Sequence, residues 1–281
     1  MRGLPVPRVG AYDGAGALVR VPSEGPRQRR RSGAAVERFP TREQDGLVWV
    51  WLGSREPRPG EEPYAFEPRG DGWRSYPMVT RFRGDVTDLV ENFMDVPHTA
   101  FVHAGWFRRA TNARAASAVV ERTADSVCVT YDQPDDSIGF SRLLLNPDGL
   151  PMTHTDRFFM PNVTRVDYLW GARRGFVISS QITPVTPTAA VVYTVIAFRF
   201  GRHLNAIARR LLPAYTRVVI EQDVRIIANQ TVNISRFGGR RFRGTEADVV
   251  HRAIETLREH AKHGAAGPAP QPQTTSIRFW M

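Results

Sequence analysis

The chain has 281 residues, 42% of them hydrophobic and 23% charged, which is enough for one large domain or for a domain plus part of another. Its formal net charge of +10 is carried by 38 Lys and Arg, Lys262 being the single lysine, but the arginines are scattered apart from Arg27, Arg29, Arg30 and Arg31. With neither interleaved aromatics nor a reading helix this argues against nucleic acid; the lack of any apolar run near the roughly 20 residues that cross a bilayer argues against a membrane span.

No apolar stretch marks a secretory signal, and Cys128 is the single cysteine, which leaves no internal disulfide and no Cys-x2-Cys zinc site. A reducing, cytoplasmic setting fits. Cys128 sits in an alternating strand and reads as a small buried hydrophobe.

Residues 1–40 are rich in Gly, Pro and Arg and lack hydrophobic period, so they predict no core of their own. Asp13-Gly14 precedes a short apolar strand, and Asp45-Gly46 precedes the continuous apolar run Leu47-Val48-Trp49-Val50-Trp51. Residues 54–72 are Pro-rich and charged, as a linker is. Residues Trp73 to Phe82 read as a strand, and Asp85 or Thr87 is a credible N-cap for the helix that follows.

That helix leads into Asn92, Asp95, His98 and His103, spaced N-x2-D-x2-H-x4-H. On a straight helix two residues five apart point roughly 140° away from each other. Pro97 resolves this, because it lacks an N–H and clashes with the preceding turn, so the helix should end or kink where His98 emerges and both rings can face one point. Asp95, three residues before His98, is placed to hydrogen-bond an imidazole and fix its tautomer. Taken alone, His-x4-His is a weak signal and is also met in structural histidines.

After His103 come strand-like runs at Ala116 to Glu121, Ser126 to Tyr131, Phe140 to Leu145, Thr153 to Phe159, Thr164 to Trp170, Phe176 to Thr183 and Ala190 to Phe198, separated by turn signals such as Asn146-Pro147-Asp148-Gly149. This predicts a meandering antiparallel sheet. His154 alternates within its strand and could face a pocket, though a lone strand histidine is more often structural. From Pro213, read as the first residue of a helix, to about Val232 the period is helical, with Tyr215, Val218, Val219, Asp223, Ile226 and Ile227 on one stripe. Asp223 then lies on the buried face, where a carboxylate needs a partner or a metal. A final helix runs from Thr245 to about Lys262, where His251, His260 and His263 read as surface residues. A Pro-rich tail follows, and Thr274 to Met281 docks as an edge strand or stays loose.

The run Asn92 to His103 resembles the iron-binding segment of the catalytic domain of Rieske non-haem iron oxygenases, the large subunits of aromatic ring-hydroxylating dioxygenases and O-demethylating monooxygenases. Glu221-Gln222-Asp223 resembles that family's acidic segment on its long C-terminal helix. The resemblance implies an α+β, helix-grip fold of the START/Bet v 1 kind, with an antiparallel sheet around a long C-terminal helix. It implies His98, His103 and Asp223 as ligands of a mononuclear Fe(II), with Glu221 as the fallback carboxylate. Asn92 and Asp95 then belong to the catalytic machinery, Asp95 as the bridge through which electrons or protons arrive.

The same resemblance extends to residues 10–53, which look like the end of an all-β Rieske domain. The boundaries expected are 1–53 for that remnant, 54–72 for a linker, 73–264 for the catalytic domain and 265–281 for the tail. Pro5 and Arg8 stand where the second Cys-x2-His pair would be, and a [2Fe–2S] centre needs two cysteines and two histidines, so this chain does not ligate the cluster. Either the start of the chain is lost or a lineage has discarded its electron-entry domain. The implied activity is O₂-dependent hydroxylation or demethylation of a small hydrophobic or aromatic ring compound. The implied partners are a ferredoxin or reductase electron donor, for which a basic face is suited, and sister subunits in a homotrimer. Two other readings stay open: a non-catalytic binder of hydrophobic ligands in a helix-grip cavity, and a zinc hydrolase using the same donors, for which the motif offers no clear general base.

Overall fold

The structure, a computed structural model, describes residues 39–44, 47–51, 56–57, 62–66, 70–104, 115–132, 146, 149–171, 174–245, 248–262 and 268–280. Among the expected elements, the strand from Phe140 to Leu145, the turn Asp13-Gly14 and His263 lie outside the described residues.

A small antiparallel pair, β1 (Thr41–Gln44) and β2 (Leu47–Val50), precedes the main body. Among the described residues the main sheet has eight strands: β3 (Arg74–Phe82), β4 (Ala115–Arg122), β5 (Ser126–Asp132), β6 (Met152–Phe159), β7 (Val163–Trp170), β8 (Arg174–Thr186), β9 (Ala189–Arg199) and β10 (Gln273–Trp280). Their order is β10-β4-β5-β6-β7-β8-β9-β3, antiparallel between all neighbours. Among the described strands two joins leave the meander, because the first and last strands of this sheet, β3 and β10, take its two edges. The tail therefore docks as a strand, with Gln273 opposite Arg122 and Trp280 opposite Ala115.

Among the described residues three α-helices cover the inner face: α1 (Val86–Met94), the 35-residue α2 (Arg202–Arg236) and α3 (Val249–Lys262). Asp85 caps α1 by accepting the Asp88 backbone N–H at 2.9 Å, and α1 buries Leu89, Val90 and Met94 almost completely. Each such side chain contributes about 1.5–3 kcal/mol of hydrophobic stabilisation, and the cap about 1 kcal/mol. The helix α2 begins eleven residues before the expected start, so Pro213 lies inside it rather than at its first position. The reason is tertiary: the Asn205 side chain accepts from the Phe200 backbone N–H (2.8 Å) and donates to the Gly72 carbonyl (2.7 Å), pinning the first turn to the body.

Two apolar clusters fill the space between sheet and helices. One is built on Phe82, Leu89, Met94, Val129, Phe158 and Ile227, the other on Met78, Trp170, Phe176, Ile196 and Phe198. Ile220 of α2 packs against both. The strand alternation is clean on β9, where every second residue is buried. The stripe read for α2 is less clean: Asp223 and Ile227 are buried, but Val218 and Ile226 are exposed. Cys128 is half-buried, on the opposite side of β5 from the buried Val127 and Val129, rather than a core residue.

Candidate metal centre

The helix α1 stops at Met94 because Asp95 takes an extended backbone (φ −97°, ψ 90°), and a single 3₁₀ turn, Val96–Ala100, follows with Pro97 near its start. Proline suits that place, having no N–H to leave unpaired. Backbone bonds from Phe101 N–H (3.0 Å) and Val102 N–H (2.8 Å) to the His98 carbonyl close the chain round, so that His103 returns towards His98. The two rings meet nearly edge to face, with centroids 5.1 Å apart and planes at 72°.

The Nε2 atoms of His98 and His103 lie 3.3 Å apart. Asp223 Oδ1, reaching in from α2, is 3.3 Å from His103 Nε2 and 3.6 Å from His98 Nε2. His103 and Asp223 are buried and His98 is nearly so. Each ring is oriented through its other nitrogen. His98 Nδ1 bonds the Asp95 backbone carbonyl, and His103 Nδ1 bonds Gln222 Oε1 at 2.8 Å. A carbonyl oxygen accepts, so Nδ1 carries the hydrogen in both rings and both Nε2 atoms present lone pairs. Asn92 Nδ2 donates to Asp223 Oδ1 at 3.1 Å, fixing the carboxylate from the side of α1.

Two imidazole lone pairs and a carboxylate oxygen thus converge, and such a set is repulsive without a cation among them. A metal about 2.1 Å from each donor separates neighbouring donors by about 3 to 3.4 Å, close to what is present. These three residues are the group of potential ligands that converges among the described residues. Two imidazoles and one carboxylate with open positions is the set of non-haem Fe(II), and zinc accepts it too. The electrostatics agree. Burial pushes the His98 pKa down, which favours its neutral, ligating form. Burial also pulls on His103, but the Asp223 hydrogen bond and charge outweigh it and raise its pKa. The negative charge that favours a proton on His103 equally favours a metal ion.

The expected residues divide as follows. His98, His103, Asp223 and Asn92 come together. Glu221 does not: it is exposed on α2, a helical turn-fraction away from the inward Asp223. Asp95 lies beside the group but orients His98 through its backbone carbonyl rather than its side chain, because it is the C-cap of α1 and its backbone has left the helix. Its carboxyl is pushed up to about 6, first by desolvation and then by the charges of Glu91 and Asp248. His251 pairs with Glu91 at 3.4 Å, away from the group. Gln222 was legible in the sequence as a residue but not as a partner of His103.

The group opens on a cavity of about 350 Å³ between the sheet and α2. Its walls are mostly apolar, including Met78, Phe93, Phe176, Ile196, Leu212 and Ile220, with Asp156, Ser180 and Thr194 among the polar residues. Periodicity could not select these positions, since cavity and core share one face of the sheet.

Comparison with known proteins gives a family and a set of relatives. The family model described as the vanillate O-demethylase oxygenase C-terminal domain matches residues 82–257. A putative toluene-4-sulfonate monooxygenase system iron-sulfur subunit, TsaM2 of Comamonas testosteroni, is 27% identical over 95 residues, a match spanning 33% of this chain and 26% of that protein's length. Among solved structures, Pseudomonas putida CBB5 NdmA with caffeine superposes with a TM-score of 0.67 at 18% identity, over 89% of this chain and 71% of that one. Dicamba monooxygenase bound to 3,6-dichlorosalicylic acid gives 0.65 at 17% identity, over 92% and 78%. These structures share the fold.

Proposed function

The chain belongs to the vanillate O-demethylase oxygenase C-terminal domain family, the catalytic domain of Rieske oxygenase α subunits, and from that premise we propose that it oxidises a small hydrophobic or aromatic ring compound with O₂ at a mononuclear Fe(II) held by His98, His103 and Asp223. The observation that carries this reading is the convergence of three acceptor atoms within 3.6 Å, each ring locked by a second hydrogen bond. Fe(II), when bound, supplies the redox chemistry with O₂.

The chain's own residues do the rest. Gln222 and the Asp95 carbonyl hold the imidazoles in the Nε2-ligating tautomer, and Asn92 holds Asp223. The apolar walls seat the ring beside the metal and keep bulk water from it. Asp95, between the metal group and an acidic recess formed with Glu91, Asp248 and Glu255, is the route by which a proton or electron reaches the site in this proposal. One thiolate, Cys128 on the outer side of β5, does not make a [2Fe–2S] ligand set, so in this proposal the electrons enter from a Rieske cluster or ferredoxin whose ligands lie outside these 281 residues. In the same reading β1 and β2 close a Rieske-like remnant and the working unit is a homotrimer. No helix among the described residues is long and apolar enough to cross a membrane.

Anaerobic purification with Fe(II), followed by elemental analysis, tests the proposal. One iron per chain is expected in the wild type, with loss in His98→Ala and Asp223→Ala. An iron-free wild type, or variants that hold as much iron, overturns the assignment in favour of a simple binder of hydrophobic ligands.

A further inference from the structure

The cavity contains one polar feature that the metal group does not use. Asp156, on the inner face of β6 opposite Val129 and Val166, is 1% exposed and lines the cavity. Two donors hold it from behind: His154 Nε2 on Oδ1 at 3.0 Å and the Tyr131 hydroxyl on Oδ2 at 3.1 Å. His154 is fully buried between two rings, Tyr131 (centroids 4.4 Å, 21°) and Tyr168 (4.3 Å, 25°), in a cross-strand stack over β5, β6 and β7. Among the described residues its Nδ1 has no hydrogen-bond partner. That fixes the chemistry of the pair. A neutral ring donating through Nε2 leaves Nδ1 as a bare acceptor, whereas a protonated ring would bury a second N–H with no acceptor at higher cost. Burial and the neighbouring Asp156 charge push the Tyr131 pKa far up, so its hydroxyl stays a donor.

The carboxylate is therefore oriented rigidly and holds the charge of the cluster. A carboxylate offers about four acceptor positions, and among the described residues these two donors are its hydrogen-bond partners. The side of Asp156 that lines the cavity thus presents an acceptor to whatever enters. The composition of the wall sharpens this. In a chain with 38 Lys and Arg, no described residue lining the cavity is Lys or Arg, while Asp95, Asp156 and Asp223 all line it. Fe(II), when bound, offsets Asp223, but the wall at Asp156 still offers an acceptor and no described Lys or Arg, so an aromatic carboxylate or sulfonate meets like charge there and finds no side-chain cation to pair with.

We propose that Asp156 is the specificity-determining contact of this cavity and that the substrate is a neutral ring compound bearing an O–H or N–H group, which donates to Asp156 while the ring packs between the sheet and α2; aromatic acids are refused. This rests on the cavity being the substrate site beside the metal, as proposed above. His154, fixed in the ring stack, is the positioning residue that aims the carboxylate, while Tyr131 is a second donor that occupies part of its acceptor capacity.

The test uses the full chain loaded with Fe(II) under anaerobic conditions, so that nothing turns over, and calorimetric titration with three matched ligands: 4-methoxyphenol, 1,4-dimethoxybenzene and 4-methoxybenzoate. The phenol is expected to bind about tenfold or more tighter than either of the others. Asp156→Leu should reduce the preference over dimethoxybenzene to within about threefold, with one iron per chain retained. Should that variant fail to fold by circular dichroism, Tyr131→Phe decides instead: with one donor removed from Asp156, the preference must persist or grow. Equal binding of the phenol and its methyl ether by the wild type, tightest binding of the benzoate, survival of the preference in Asp156→Leu, or its loss in Tyr131→Phe overturns the proposal. The metal reading fails separately: a chain that prefers the phenol but holds no iron refutes that reading and leaves this one, and a chain with iron and no preference does the reverse.

Discussion

His103 is held by Gln222 through Nδ1 and turns its Nε2 lone pair toward Asp223 Oδ1, 3.3 Å away, so adjacent residues of α2 flank one imidazole from two directions. Partners of this kind typically change metal affinity by about 10–100-fold. Gln222→Leu is expected to weaken Fe(II) binding by about that factor in an anaerobic titration, while Gln222→Glu, which keeps an acceptor for Nδ1–H, restores most of it. Equal affinities in the three proteins would remove Gln222 from the account. A second residue-scale consequence concerns Asp88, buried on α1 with Oδ1 unpartnered among the described residues and Oδ2 2.9 Å from Arg240. Its pKa is pushed up to about 6, first by desolvation and next by Asp85, with Arg240 pulling the other way. Because the folded value exceeds the unfolded one, folding favours the protonated form. The group's contribution is full below about pH 4 and is lost as pH rises through about 6, at a cost of at most about 3 kcal/mol. Asp88→Asn, which mimics the protonated state, should raise Tm at pH 7.5 and leave it unchanged at pH 4. A gain of the same size at both pH values would show that its origin is not this titration.

At the scale of elements, the proposed metal site depends on how α2 lies against the turn before α1. A Cβ built on Gly84 would lie 2.3 Å from Ile227 Cγ2, and Ile227 is one turn beyond Asp223 on the same face of the helix. Thr231 ties the next turn to the Arg83 carbonyl at 3.0 Å. Gly84→Ala is therefore expected to cost about 1–3 kcal/mol by overpacking and to loosen iron by displacing Asp223, and the added Ile227→Ala should return the iron by making room. If Gly84→Ala alone leaves both Tm and iron unchanged, the close approach does not set the position of Asp223. The elements themselves were unevenly legible. Strands β3, β4, β5 and β9 were readable because one face of each is buried and alternation survives, and β6 to β8, buried over much of both faces, because apolar and β-branched runs end at turn signals. The break at Pro97 was readable because proline acts locally. The first eleven residues of α2 were not, for two reasons. Proline there suggested a start, while the true start is fixed by Asn205 bonding residues far away in sequence. The helix also carries exposed apolar residues, Ile207, Leu211, Val218 and Ile226, which blur its inward stripe.

The whole molecule is a sheet folded over a long helix, with its two apolar clusters meeting at Ile220 and the cavity opening where they meet. From sequence, the candidate metal donors were identifiable through the family resemblance of Asn92 to His103 and of Glu221 to Asp223, which the break at Pro97 and the buried carboxylate at position 223 fit but could not have established alone. The Asp156 cluster was not, since His154 and Asp156 become neighbours of Tyr131 and Tyr168 through strand register alone. Placement at this scale is also what the central claim rests on: three donors from two distant stretches must share one ion. The most direct measurement is anomalous diffraction at the iron edge from crystals grown anaerobically with Fe(II). A single peak about 2.1 Å from His98 Nε2, His103 Nε2 and Asp223 Oδ1 is the predicted result. No peak there, or a peak in the acidic recess beside Glu91, Asp248 and Glu255 instead, would contradict it.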